Sequence, residues 1–264
     1  PPPIGRGARR EHVHPVYLLR RVRQVEVGSE GPDQRRQGAD VLIGEQAGRL
    51  KLLDLASGAV REIAGLPDIV SGKGQLGLMD IALHPNFNAN RRIYYTHSVS
   101  DDAGSGYATA LSTGILGNSA ISAIETLLVA TPYAKSMSNF GSALEFDDRG
   151  FLYFATGDKS ERDKSQDKLS LKGKVLRLTD TGSAPSDNPF VASNDTRPEI
   201  YALGVRNPQG LVFDRRRGVL FEAEHGPMGG DEINIIRAGA NYGWPVVSYG
   251  AFYNTKKIGV GWRA

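Results

Sequence analysis

Glu224, His225, Asp231 and Glu232 crowd around a Gly-Pro step in the stretch EHGPMGGDEINIIRAGANYGWP, residues 224–245. Carboxylates and a mobile backbone are what a hard cation seeks, because calcium takes six to eight oxygen ligands, carbonyls among them. Gly226 lets the chain turn its carbonyls toward an ion, and Pro227 offers a carbonyl with no N–H to repel a cation. Asp231 and Glu232 are the candidate carboxylates, although the stretch does not follow the twelve-residue helical calcium loop. A polar turn with its acids in water is the alternative.

A second set of side chains suits a planar, carboxylated ligand. Arg206 and Asn207 stand together in GVRNPQG, and Gln75 stands in GKGQLG. Arginine presents a flat fork of donors, and the two amides add donors and acceptors. On chemistry alone, Arg206 bracing a turn by bonding to loop carbonyls is the favoured reading. Other chemistries find less support. The five histidines, at 12, 14, 84, 97 and 225, lack the spacing of a helical zinc pair. No strand-turn-helix nucleophile motif is present. GKGQLG lacks the closing Lys-Ser/Thr of a phosphate loop. His84, in ALHPNF, reads as a turn buttress.

These residues need elements to hold them. Four segments share a strand-turn-strand design: 39–54, 78–98, 141–158 and 209–226. The last two align without a gap, ALEFDDRGFLYFATGD over GLVFDRRRGVLFEAEH, 67 residues apart. Isolated hairpins are marginal in water, so repetition at this period predicts blades around an axis. A β-sandwich also uses many short strands, but the internal similarity favours an all-β propeller. AISAIETLLVATPY (120–133), GKVLRLTDTG (173–182) and PEIYALGVRNPQG (198–210) read as outer strands, although the first carries some helical periodicity. Residues 1–37 form a poorly readable segment with eight arginines and no lysine, and the propeller is expected over 38–264. A net charge of +3 gives no nucleic-acid footprint. With no cysteine, disulfides and thiolate metal sites are excluded. No apolar run is long enough for a helical membrane span. The first residues lack Met and an apolar leader, so a mature, trimmed or incomplete start is expected.

GLMDIALHPNFNANRRIYYTHS, GKVLRLTDTGSAPSDNPF, EIYALGVRNPQGLVFD and EHGPMGGDEINIIRAGANYGWP together resemble the soluble quinoprotein sugar dehydrogenases, the glucose/sorbosone dehydrogenase-like family. The resemblance covers about residues 39–261. It implies a six-bladed β-propeller, periplasmic or secreted, that binds pyrroloquinoline quinone (PQQ) and calcium. It implies oxidation of an aldose at the anomeric carbon to a lactone, with electrons passed to a soluble or membrane acceptor. By the same resemblance Gln75, Arg206 and Asn207 contact the quinone. Gly226 and Pro227 give carbonyls to the calcium beside it, Glu232 and Tyr242 hold a second calcium, and Asp231 lies on the substrate side.

Two departures matter. Where the family has NHFGGRLVF, this chain has SNFGSALEF, so Asn139 takes the place of the catalytic histidine and Ala143 that of an arginine. An amide does not take a proton at neutral pH, and losing a placed base lowers rates by roughly 10²- to 10⁴-fold. Asp158, in ATGD, is the nearby carboxylate that could stand in. The family pattern also continues beyond KKIGVGWRA, so an incomplete ring is expected. Two functions follow: a sugar dehydrogenase impaired at position 139, or a non-catalytic calcium-binding propeller that binds a sugar or protein.

Overall fold

β-branched and aromatic runs separated by Asp- and Gly-bearing turns build antiparallel hairpins, and the computed structural model shows them throughout the residues it describes, 23–26, 39–254 and 256–259. The first sheet holds β1 (Arg23–Glu26), β2 (Ala39–Glu45), β3 (Arg49–Asp54) and β4 (Val60–Ile63). The second holds β5 (Leu78–Leu83), β6 (Arg92–Ser100), β7 (Tyr107–Leu116) and β8 (Ile121–Val129). β9 (Gly141–Phe146), β10 (Leu152–Thr156), β11 (Lys174–Leu178) and β12 (Ile200–Leu203) form the third. The fourth contains β13 (Pro208–Asp214), β14 (Val219–Glu224) and β15 (Glu232–Ile236). Every strand pairs antiparallel with its sequence neighbour in the sheet.

β2, β5, β9 and β13 lie beside one another in that order. Consecutive meander sheets joined in this way are the blades of a β-propeller. The core is correspondingly split between blades. Leu42, Leu50 and Leu52 pack on Ile81, Ile93 and Tyr95. Tyr94 and Leu111 pack on Leu144, Phe146 and Phe154. Ala143, Tyr153 and Val175 pack on Leu211, Leu220 and Ile236. Each sheet thus buries one face against the next.

The predicted hairpins are all present, and the repeat extends to turn chemistry. Asp147 Oδ1 accepts from the backbone N–H groups of Arg149 and Phe151, both at 2.9 Å. Asp214 Oδ1, its repeat equivalent, accepts from Arg216 and Arg217 at 3.0 and 3.1 Å. His84 does buttress its turn: Nδ1 lies 2.9 Å from the Asn86 N–H and 2.8 Å from Asn90 Nδ2. The outer strand expected within 120–133 is present despite its helix-like periodicity: 121–129 is strand β8, paired along β7. The Arg-rich segment contributes β1 to the first sheet, so that sheet begins before residue 38; the rest of 1–37 lies outside the described residues. Among those residues no helix is long and apolar enough to cross a membrane.

Candidate active site

Antiparallel pairing brings the start of one strand to the end of the next. Asn139 precedes β9, Asp158 follows β10, Arg206 precedes β13 and Pro227 follows β14, so all four reach one rim. There they line an open cleft of about 600 Å³ with Trp244 and Phe252. Asn139 adopts left-handed backbone geometry (φ 56°), which asparagine tolerates better than most residues. Its carbonyl lies so close to Gly157 that a Cβ there would meet it at 2.0 Å. Gly157 is therefore required for the two loops to touch.

Asp158 ties the site together. It is fully buried. Its Oδ1 accepts from Asn139 Nδ2 at 3.0 Å and from the Ser160 N–H at 2.7 Å. Its Oδ2 accepts from Trp244 Nε1 at 2.8 Å. Because Asn139 donates from Nδ2 to Asp158, its amide oxygen is the atom left to accept from a ligand. The same bonds make Asp158 an anchor of the rim rather than a group that reaches a substrate.

Arg206 sits between this cleft and a smaller pocket lined by Gly226, Glu232, Tyr242 and Ser248. Its Nη1 donates to the carbonyls of His225 and Gly226, both at 2.7 Å, and its guanidinium lies 5.4 Å from the Trp244 ring centroid. Its N–H and that of Asn207 both donate to Glu224 Oε2. Glu224 and Glu222 are buried on β14, and burial, with the charge of Glu224 acting on Glu222 and that of Glu232 acting on Glu224, pushes both carboxyls above the ordinary carboxylate range. Asn234, across on β15, donates to both. Glu232 is half-buried, and burial raises its carboxyl too. Among the described residues no lysine or arginine forms an ion pair with it.

The remaining predicted residues occupy other places. Asn207 is buried, and its Oδ1 accepts from the Gly141 N–H at 3.1 Å and Gln209 Nε2 at 2.9 Å. Gln75 Oε1 accepts from the Phe140 N–H at 3.4 Å. Both therefore brace the Asn139 loop from behind. Asp231 is exposed and accepts from the Gly226 N–H at 2.8 Å, away from the cleft lining. Tyr242 donates its hydroxyl to the Ile235 carbonyl at 2.6 Å and accepts from the Arg237 N–H at 2.9 Å, so a carbonyl rather than the hydroxyl is its available cation ligand. Ala143 packs in the core between the third and fourth sheets. Sequence reasoning missed Trp244 as a partner of Asp158; the two are 86 positions apart, and no local signal joins them.

The donor set fits both groups that the resemblance implies. Arg206, Arg162 and Lys256 bring positive charge to the cleft, and Trp244 and Phe252 bring aromatic faces, as a planar polycarboxylate requires. The carboxylate of Glu232 and nearby carbonyl oxygens suit a hard cation.

A family model described as glucose/sorbosone dehydrogenase matches residues 34–264. Aldose sugar dehydrogenase YliI of Escherichia coli is 39% identical over 221 residues, which cover 83% of this chain and 59% of YliI. A crystal structure of a glucose dehydrogenase superposes with a TM-score of 0.82 at 38% identity, covering 89% of this chain and 68% of the other. The PQQ-bound aldose sugar dehydrogenase of Streptomyces coelicolor superposes with a TM-score of 0.71 at 28% identity, covering 84% and 64%. The chain thus spans less than two thirds of YliI.

Proposed function

The chain belongs to the glucose/sorbosone dehydrogenase family, and on that premise we propose that its cleft binds PQQ and an aldose and oxidises the anomeric C–OH to the lactone slowly, because position 139 lacks a base. The observation that carries this reading is the Asn139–Asp158 hydrogen bond at the cleft rim, with Arg206 facing the same space. The PQQ-bound relative supports the choice of cofactor. When bound, the quinone supplies a two-electron acceptor for the hydride on the anomeric carbon.

The chain's own residues do the rest. Arg206, with Arg162 and Lys256, attracts the carboxylates of the cofactor, and Trp244 offers its ring. Asn139, held by Asp158, presents its amide oxygen to the sugar hydroxyl. That oxygen orients the hydroxyl but does not hold its proton, so the hydride donor is never fully formed. Calcium at the carbonyls of Gly226 and Pro227, and a second at Glu232 with the Tyr242 carbonyl, would fix the 224–232 loop. The alternative, a propeller that binds calcium and a sugar without oxidising it, rests on the same Asn139.

Reconstitution of the full chain with PQQ and calcium separates these readings. Quinone absorbance reports binding, and dye reduction with a panel of aldoses reports turnover. The expected result is quinone binding with feeble turnover, raised about 10²- to 10⁴-fold in Asn139→His. Turnover by the unaltered chain at ordinary enzyme rates, about 1–10³ s⁻¹, would overturn the role given to Asn139. Binding without any gain in Asn139→His would favour the non-catalytic alternative.

A further inference from the structure

Next to the main cleft is a second one, of about 500 Å³, and Ser160 lines both. Ser136 Oγ donates to Ser160 Oγ at 3.0 Å on their shared wall. The second cleft is also lined by Lys135 and Lys159. Lys159 is 1% exposed. Its Nζ has no hydrogen-bond partner and lies over the ring of Phe140.

Two other buried lysines show how unusual this is. Lys172 Nζ pairs with Glu161 at 2.7 Å and donates to the Tyr133 carbonyl at 3.3 Å. Lys174 Nζ donates to the carbonyls of Lys164, Ser165 and Lys172 at 2.8, 3.0 and 2.7 Å. Lys159 has no such acceptors, and it feels the positive charge of Lys172. Its backbone is left-handed (φ 55°), as is that of Ser160 (φ 62°), a conformation unfavourable for side-chain-bearing residues. The loop is nevertheless pinned: the Asp158 N–H donates to the Arg206 carbonyl at 2.8 Å, and the Lys159 N–H to the Asn139 carbonyl at 3.1 Å. The fold thus holds the amine of a cleft-lining residue against an aromatic ring and beside another cation. Desolvation and a neighbouring positive charge are the two conditions that activate a lysine as a nucleophile. Both act on Lys159, burial the more strongly, and lower its pKa well below the usual lysine value.

We propose that Lys159 is a nucleophilic lysine that captures a small hydroxyaldehyde from the second cleft as an imine. The amine lone pair forms an N–C bond to the carbonyl carbon, and a proton moves from nitrogen to the carbonyl oxygen. Loss of water then breaks the C–O bond and leaves C=N, with no oxidant or reductant consumed. Because the Nζ atom itself is covered, only the smallest aldehydes, of two or three carbons, are candidates to reach it. The hydroxyls of Ser136 and Ser160 offer partners for the aldehyde's own hydroxyl. The sugar-oxidising reading of the main cleft is not needed for this step.

The test uses the full chain, glycolaldehyde and cyanoborohydride at pH 6.5, with peptide mass mapping over time. Reduction fixes each imine as a stable secondary amine. Lys135, exposed in the same cleft, is the internal reference. Each unit by which a lysine pKa is lowered gives about tenfold more free amine below both pKa values. The expected result is labelling of Lys159 at least about tenfold faster than Lys135, with the ratio falling as pH approaches 10. Lys159→Arg, folded by circular dichroism, should lose the fast label and keep the slow ones. Equal or slower labelling of Lys159, or a fast label that persists in Lys159→Arg, would overturn the proposal.

Discussion

Asn139 and Lys159 are joined by a backbone hydrogen bond, and both adopt left-handed geometry, yet their side chains meet opposite fates. The Asn139 amide is caught by Asp158. The Lys159 amine finds no acceptor. This contrast carries a stability prediction. The folded-state pKa of Lys159 is depressed, so between that lowered value and about pH 10.4, the ordinary lysine value, the unfolded chain holds a proton that the folded chain gives up. Stability lost this way is lost in full below the folded-state pKa and returns as pH rises toward the unfolded value. Lys159→Met removes the group at nearly constant volume. It should raise stability at pH 7 by roughly 1–3 kcal/mol, the usual cost of an unbonded buried polar group. The gain should shrink as pH rises toward 10. Thermal or urea denaturation of the two proteins across that range measures it, and a constant difference would contradict the assignment. Comparing the pair cancels the opposing titration of Glu222 and Glu224, which both proteins share.

At the scale of elements, β15 reverses the usual alternation. Glu232 and Asn234 turn toward Glu224 and Glu222 on β14, while Ile233 and Ile235 are exposed. A strand with a carboxylate on its sheltered side is stabilised by a cation bound there, and Glu232 lines the small pocket together with Glu224, whose Oε2 is already taken by the Arg206 and Asn207 N–H groups. Calorimetric calcium titration should therefore show a site in the parent that weakens at least about tenfold in Glu232→Gln, a loss of about 1.4 kcal/mol. Equal affinities would remove Glu232 from the ligand set. The loops of this region were legible because acids, Gly, Pro and aromatic residues cluster within one short stretch. The hairpins were legible because their turns carry Asp at matching places, Asp147 and Asp214. Strand β8 was legible less sharply, since ISAIETLLV has its apolar residues at helix-like intervals and pairing with β7 holds it extended. The bracing roles of Asn207 and Gln75 were hidden, because their partners, Gly141 and Phe140, lie 66 and 65 positions away.

For the whole molecule, the order of the blades separates support from chemistry. The linings of the main cleft and the small pocket begin at residue 139, in the third and fourth sheets and the segment after them. The first sheet meets the second through Leu50, 1% exposed, and its neighbours. Leu50→Ala should lower stability by about 2–5 kcal/mol, as cavity-forming changes in a packed core do. Calcium affinity, measured where the variant is still folded, should stay within about twofold of the parent, a difference of about 0.4 kcal/mol. A larger fall would show that the first sheet shapes the pocket after all. Gln75 is the exception to this division, since it reaches from before β5 to the backbone of Phe140. Because the two tasks lie on different stretches of chain, natural selection can retune what the rim binds without rewriting the blades that keep it folded. The two halves of the sequence are free to diverge at different rates.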